Sequence, residues 1–147
     1  MSRLYPDRPF VGALAVVRRD DRVLLVQRAL PPTPGSWGFP GGQQELGETV
    51  EAAAVRELLE ETGVAARPVA VLDILNRIDR DGDGRIRSHW TLVAVLALWE
   101  AGEPDPGTDA FAVAWVTPAD LAGWPDRLFP GVVQLVEKAL AVRPASA

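Results

Sequence analysis

Three carboxylates, Glu57, Glu60 and Glu61, stand at positions i, i+3 and i+4 of a segment with the composition of a helix. That spacing makes them neighbours on one helical face. Like charges held so close repel, so a helix built only for stability would spread them out or interleave lysine. A divalent cation that prefers oxygen ligands removes the penalty, and carboxylates of this kind hold Mg²⁺ beside phosphates. Just upstream, Gly41 and Gly42 let the backbone turn tightly and offer a carbonyl to a metal or an amide to a phosphate. The chemistry that suits this set is attack of water on a phosphoanhydride. That reaction needs neutralised phosphate oxygens, a positioned water and a group to take its proton.

The run from Gly42 to Val64 reads Gly-x5-Glu-x7-Arg-Glu-Leu-x-Glu-Glu-x-Gly-Val, flanked by Pro40-Gly41-Gly42 and containing Glu45-Leu46-Gly47-Glu48. In these residues the chain resembles the Nudix hydrolases, with every defining position of the family's box filled. The resemblance covers residues 10 to 122. It implies an α/β/α sandwich with a mixed central sheet, the box forming a loop–helix–loop at 42–64. It implies a pyrophosphohydrolase that uses Mg²⁺, with Mn²⁺ as a substitute, and a small-molecule nucleotide substrate. Carried over residue by residue, Glu57 and Glu61 are direct metal ligands with Glu60 close behind, and one of the three doubles as the base. Which one does so stays open. Asp109, six residues before Trp115, falls where similar proteins often carry an acidic residue that reaches the metal cluster or the base.

Other residues extend the site. Arg56 precedes Glu60 by four positions, and its guanidinium fork could lock Glu48 or Glu60 in place. Glu45 and Glu48 are further acidic candidates. Arg28, Arg77, Arg80 and Arg87 are candidate contacts to outer phosphates. His89 is the only histidine, so it is a candidate for the substrate and a poor basis for a zinc site or a histidine triad. Trp37, Trp90 and Trp99 read as core, with a nucleobase stacking on one as the functional alternative. Asp79-Arg80-Asp81-Gly82-Asp83-Gly84 invites a calcium-loop reading, but the twelfth position, where a bidentate glutamate belongs, is Trp90. A hairpin turn is the better reading.

Outside the box, Leu24-Leu25-Val26-Gln27-Arg28, Trp37 to Gly42 and Asp109 to Val116 look most like bacterial ADP-ribose pyrophosphatase-like members. The substrate this implies is a nucleoside diphosphate linked to another moiety, ADP-ribose being the favoured type. One departure stands out: the proline many ADP-ribose hydrolases carry a short way past the box is absent from Asn76 to Asp79. The alternative is therefore a MutT-like hydrolase of nucleoside triphosphates, oxidised ones included. A binding module without turnover would usually have lost a box carboxylate, whereas Glu48, Glu57, Glu60 and Glu61 are all present.

Several elements must position these groups. Val11 to Val17 and Val23 to Gln27 read as a β-hairpin with Asp20-Asp21 near its turn. Pro31 to Gly35 is a loop. Thr49 is a good N-cap for the box helix, whose apolar side is Val50, Ala53, Ala54 and Leu58, and Gly63 is placed to end it. Strands follow at Pro68 to Leu75, Ser88 to Trp99 and Phe111 to Val116, with a loop from Ala101 to Thr108. Thr117 caps a short helix, and Gly131 to Val142 is a final amphipathic one. The order predicts α+β or α/β architecture.

The bulk properties agree with this. A chain of 147 residues, 48% hydrophobic and 24% charged, is expected to be a single soluble domain over 1–147. Its net charge of −5 argues against a nucleic-acid groove, while a bridging cation keeps phosphate binding open. Cysteine is absent, which excludes disulfides and thiolate chemistry and fits a reducing cytoplasm. No apolar stretch approaches a bilayer span or a signal-peptide core. The sequence leaves a homodimer open.

Overall fold

The strand Phe10–Arg19 is apolar on both faces because both are covered. In the computed structural model, which describes residues 3–29, 35–105 and 110–143, this strand is β1. After it come β2 (Arg22–Arg28), β3 (Trp37–Gly38), β4 (Gly41–Gln43), α1 (Val50–Thr62), β5 (Ala65–Arg80), β6 (Ile86–Ala101), β7 (Ala110–Val116), α2 (Pro118–Ala122) and α3 (Val132–Ala141). Among the described residues the strands make one seven-stranded sheet with the path β3-β2-β1-β6-β5; β4 also pairs with β1, and β7 with β2. β1 and β6 run parallel and every other pair is antiparallel, so the sheet is mixed.

Side-chain alternation along β1 assigns its two faces. Ala13, Ala15 and Val17 meet Ala53, Ala54 and Leu58 of α1. Val16, with Leu25 and Leu96, faces Leu121 of α2 and Leu135, Val136 and Ala139 of α3. The expected α/β/α sandwich is thus the architecture observed. No helix among the described residues is long and apolar enough to cross a membrane.

Local signals set the ends of α1. The Thr49 hydroxyl accepts the Ala52 N–H at 3.0 Å, and Gly63 takes a left-handed φ of 78° while its N–H closes on the Leu59 carbonyl. Thr117 caps α2 with a reciprocal bond to Asp120.

The β5–β6 hairpin is longer than its sequence suggests, extending to Arg80 and starting again at Ile86. Asn76, Arg77, Asp79 and Arg80 are polar, a density that in a central strand would end the element. β5 lies at the sheet edge, however, and an edge tolerates charge and register shifts, including the one beside Pro68. The acidic tip is a hairpin turn as expected. There the Asp81 carboxylate accepts the N–H groups of Asp83 and Arg85 at 2.9 and 3.0 Å.

The last helix is held by a side chain from β1. Arg18 Nη1 donates to the carbonyls of Ala139 and Val142 at 3.2 and 2.8 Å, serving acceptors that the end of α3 leaves unpaired. Arg18→Ala should lower the unfolding free energy by about 1–2 kcal/mol in urea melts while leaving KM unchanged. An identical melt would mean that solvent serves those carbonyls equally well.

Candidate active site

The site begins where β4 lies against β1. Gly41 and Gly42 stand opposite Leu14 and Ala13, so close that a Cβ on Gly41 would strike the Ala13 carbonyl. The loop that follows is stitched down by Gln44, whose N–H donates to the Val11 carbonyl at 3.0 Å and whose side-chain Nε2 donates to the Glu48 carbonyl at 2.7 Å. It delivers the chain to Thr49 and α1. The helix then projects Glu57 back over Gly42, where any Cβ would collide with the Glu57 carboxylate. This makes a cradle that only glycine leaves open.

Arg56 organises the acidic groups. Its Nε and Nη2 grip both oxygens of Glu48 at 3.0 and 2.7 Å. Nη1 donates to Glu57 Oε1 at 3.0 Å, lies 3.3 Å from Glu60 Oε2 and stands 3.8 Å from Glu45 Oε1. Nη2 also reaches the Gln43 carbonyl at 3.2 Å, tying the helix to the loop. The side chains of Arg56, Glu48 and Glu57 are 25%, 18% and 19% exposed, whereas Glu60 is 60% exposed. Arg56 therefore orients Glu48 foremost, as one of the two partners expected for it.

Among the described residues, no three acidic or imidazole side chains gather closely enough to hold a metal ion on their own. Glu57 and Glu60 turn toward Arg56 instead. The available donors are nonetheless hard, anionic oxygens beside a glycine-walled hollow, the chemistry a hard divalent cation takes. A cavity of about 460 Å³ opens here, lined by Gly41 to Leu46, Glu57 and Arg3.

The other sequence candidates are distributed differently. Arg28 ends β2, where its main chain bonds Gly35 and Ser36; it does not line this cavity. His89 is half-buried on β6 opposite Ile78, and it does not line the cavity either. Asp109 lies outside the described residues, as do Pro31 to Pro34 and part of the loop before β7. Arg77 donates to the Pro130 carbonyl and stands over Phe129, Arg80 donates to the Gly84 carbonyl, and Arg87 pairs with Asp79. Trp37 is core: it is 6% exposed, and its Nε1 donates to Asp126 at 3.0 Å. Arg3, which does line the cavity, carries no local sequence signal that would have marked it.

The NUDIX domain family matches residues 7–138. The chain belongs to the Nudix hydrolases. That family acts on pyrophosphate bonds. This Nudix chain is 37% identical over 108 residues to the ADP-ribose pyrophosphatase of Methanocaldococcus jannaschii, covering 74% of itself but only 61% of that protein. It is 41% identical over 113 residues to the putative 8-oxo-dGTP diphosphatase 2 of Mycobacterium tuberculosis, covering 76% of itself and 74% of the relative. Among solved structures, the MutT NUDIX hydrolase from Burkholderia pseudomallei superposes with a TM-score of 0.76 at 33% identity. That alignment covers 90% of this chain and 98% of the other.

The Arg56 grip has an electrostatic consequence in this Nudix site. Hydrogen bonds from Arg56, with the Glu45 N–H adding to them, pull Glu48 down from its ordinary 4.5 to about 2. A depressed carboxylate pKa stabilises the fold fully above the ordinary value, and that contribution drains away as the pH falls toward 2. Glu48 therefore stays ionised across the whole neutral range. Any acid limb in kcat/KM above about pH 5 must then come from another group and should persist in Glu48→Gln. Loss of that limb in the variant would show that Glu48 itself titrates there.

Proposed function

We propose that the protein is a Mg²⁺-dependent pyrophosphohydrolase that cleaves a nucleoside diphosphate linked to another moiety, with ADP-ribose as the favoured type of substrate. The observation that carries this is the Glu57 carboxylate seated on Gly42 inside an acidic, glycine-walled cavity. The likeness to an ADP-ribose pyrophosphatase supports the substrate type. A second reading, hydrolysis of nucleoside triphosphates including oxidised ones, has its own support in the likeness to a putative 8-oxo-dGTP diphosphatase and in the missing proline between Asn76 and Asp79.

Glu57, Glu60 and Glu61, with the Gly42 carbonyl, would hold the divalent cation, Mg²⁺ or Mn²⁺ in its place. When bound, the cation supplies charge neutralisation at the phosphate oxygens. The chain's own groups do the rest. Arg56 keeps Glu48 ionised and holds Glu57 against the glycine turn, so the carboxylates meet the substrate already oriented. The base that takes the proton of the attacking water is one of Glu57, Glu60 and Glu61. Asp109, placed by sequence just ahead of β7, is proposed as its partner from outside the box. Gly41 and Gly42 admit the diphosphate close to the backbone. Arg28 and His89 are proposed for parts of the substrate remote from the cavity.

A hydrolysis panel of ADP-ribose, nucleotide sugars, dinucleoside polyphosphates and ordinary and oxidised triphosphates, with Mg²⁺ and with EDTA, tests the reading. ADP-ribose should give AMP and ribose 5-phosphate only with the cation. Preference for a triphosphate, releasing monophosphate and pyrophosphate, would favour the second reading, and no turnover of any member would end both. Glu57→Gln and Glu61→Gln should each lower kcat by roughly two to four orders of magnitude with unchanged melting curves. Activity within tenfold of wild type would remove them from the ligand set.

A further inference from the structure

The cavity beside Gly42 is acidic, its charged lining including Glu45 and Glu57, and its substrate carries a string of negative phosphates. Among the described residues that line it, Arg3 is the one cationic side chain. Arg56 is already committed to Glu48, Glu57 and Glu60. Arg3 is differently placed: its guanidinium lies 6.0 Å from the centre of the Trp90 ring, and among the described residues no carboxylate pairs with it. An arginine held on an aromatic face keeps its planar fork of donors available for an anion. Trp90 is itself supported, with Phe10 at 5.5 Å between ring centres and Gly12 leaving room beside it.

Arg3 belongs to a segment outside the sheet, and something must hold that segment in place. Two residues on, the Tyr5 N–H donates to the Arg87 carbonyl at 2.7 Å and its hydroxyl to Asp81 Oδ2 at 2.9 Å. The guanidinium of Arg85 stands 4.5 Å from the centre of the Tyr5 ring. Tyr5 adopts a φ of 50°, an uncommon conformation for a bulky residue that these contacts hold in place. The tip of the β5–β6 hairpin thus clamps the segment next to Arg3. The same hydroxyl is the foremost cause of the lowered Asp81 pKa, so the clamp keeps its charge at neutral pH.

We propose that Arg3 is a substrate-binding residue that grips a terminal or bridging phosphate of the substrate, and that Tyr5, latched to the hairpin tip, is the positioning residue that aims it. The proposal rests on the pyrophosphohydrolase reading and adds to it a cation supplied from outside the box.

The test is calorimetric titration of the full chain with inorganic pyrophosphate, in Mg²⁺ and in EDTA. Wild type should bind, and Arg3→Gln should weaken binding on the order of tenfold in both buffers, the size of one lost charge-assisted pair. Arg3→Lys should recover part of it. Tyr5→Phe should weaken binding by a smaller factor and raise KM without lowering kcat, and it should add nothing once Arg3 is glutamine. Equal pyrophosphate affinity in wild type and Arg3→Gln, or no binding by wild type, overturns the role of Arg3. Additive effects of the two substitutions overturn the latch. Failure of the hydrolase reading looks different: pyrophosphate still binds, and no substrate turns over.

Discussion

Arg56 forks onto Glu48 through Nε and Nη2 while its Nη1 stands between Glu57 and Glu60. Without that guanidinium, carboxylates one helical turn apart would repel by about 0.2–0.5 kcal/mol per pair. The helix would relieve that repulsion by swinging its side chains apart into solvent. With it, Glu57 is held toward the loop, and the geometry of the remaining site follows. A carboxylate fixed there demands a residue without a side chain at position 42, and the turn that presents Gly42 demands another at 41. The same arginine reaches the Gln43 carbonyl, which ties the helix to the loop.

That pair is anchored in the most covered part of the fold. β1 bonds β6 on one side and both β2 and β4 on the other, with cores above and below. Small residues on the α1 face, Ala13 and Ala15 against Ala53 and Ala54, let the helix sit close to the sheet. Distance between α1 and β4 is therefore fixed by packing, not by the loop. This matters for chemistry because a carboxylate misplaced by an ångström loses much of its effect on a reaction.

Features governed by neighbours in sequence are legible in the sequence alone. The caps at Thr49, Gly63 and Thr117 depend on a hydroxyl or on a left-handed φ within one turn, and each sits where its chemistry required. The element order points only to an α+β or α/β class, and the α/β/α layering is what the box resemblance implies. β5 runs past Leu75 because Asn76, Arg77, Asp79 and Arg80 would stop a central strand but not an edge strand, and edge position is a property of the whole sheet. Arg28 and His89 stand away from the cavity for a related reason: where a strand side chain points is set by register, as His89 opposite Ile78 illustrates. Arg3 was invisible because its position depends on Tyr5 meeting Asp81, 76 residues away.

The cavity is therefore assembled at two ranges. The acidic groups come from one continuous segment, Gly42 to Val64, bound together by Arg56 and by backbone contacts to β1. Arg3, the cationic side chain of the cavity lining, comes from the N-terminal segment, which Tyr5 ties to the hairpin tip and which only the fold brings near. Contacts that share no partner with the Arg56 network should vary nearly independently of it. A change at Arg3 or Tyr5 should therefore leave the hydrogen bonds that Arg56 makes to Glu48 and Glu57 in place.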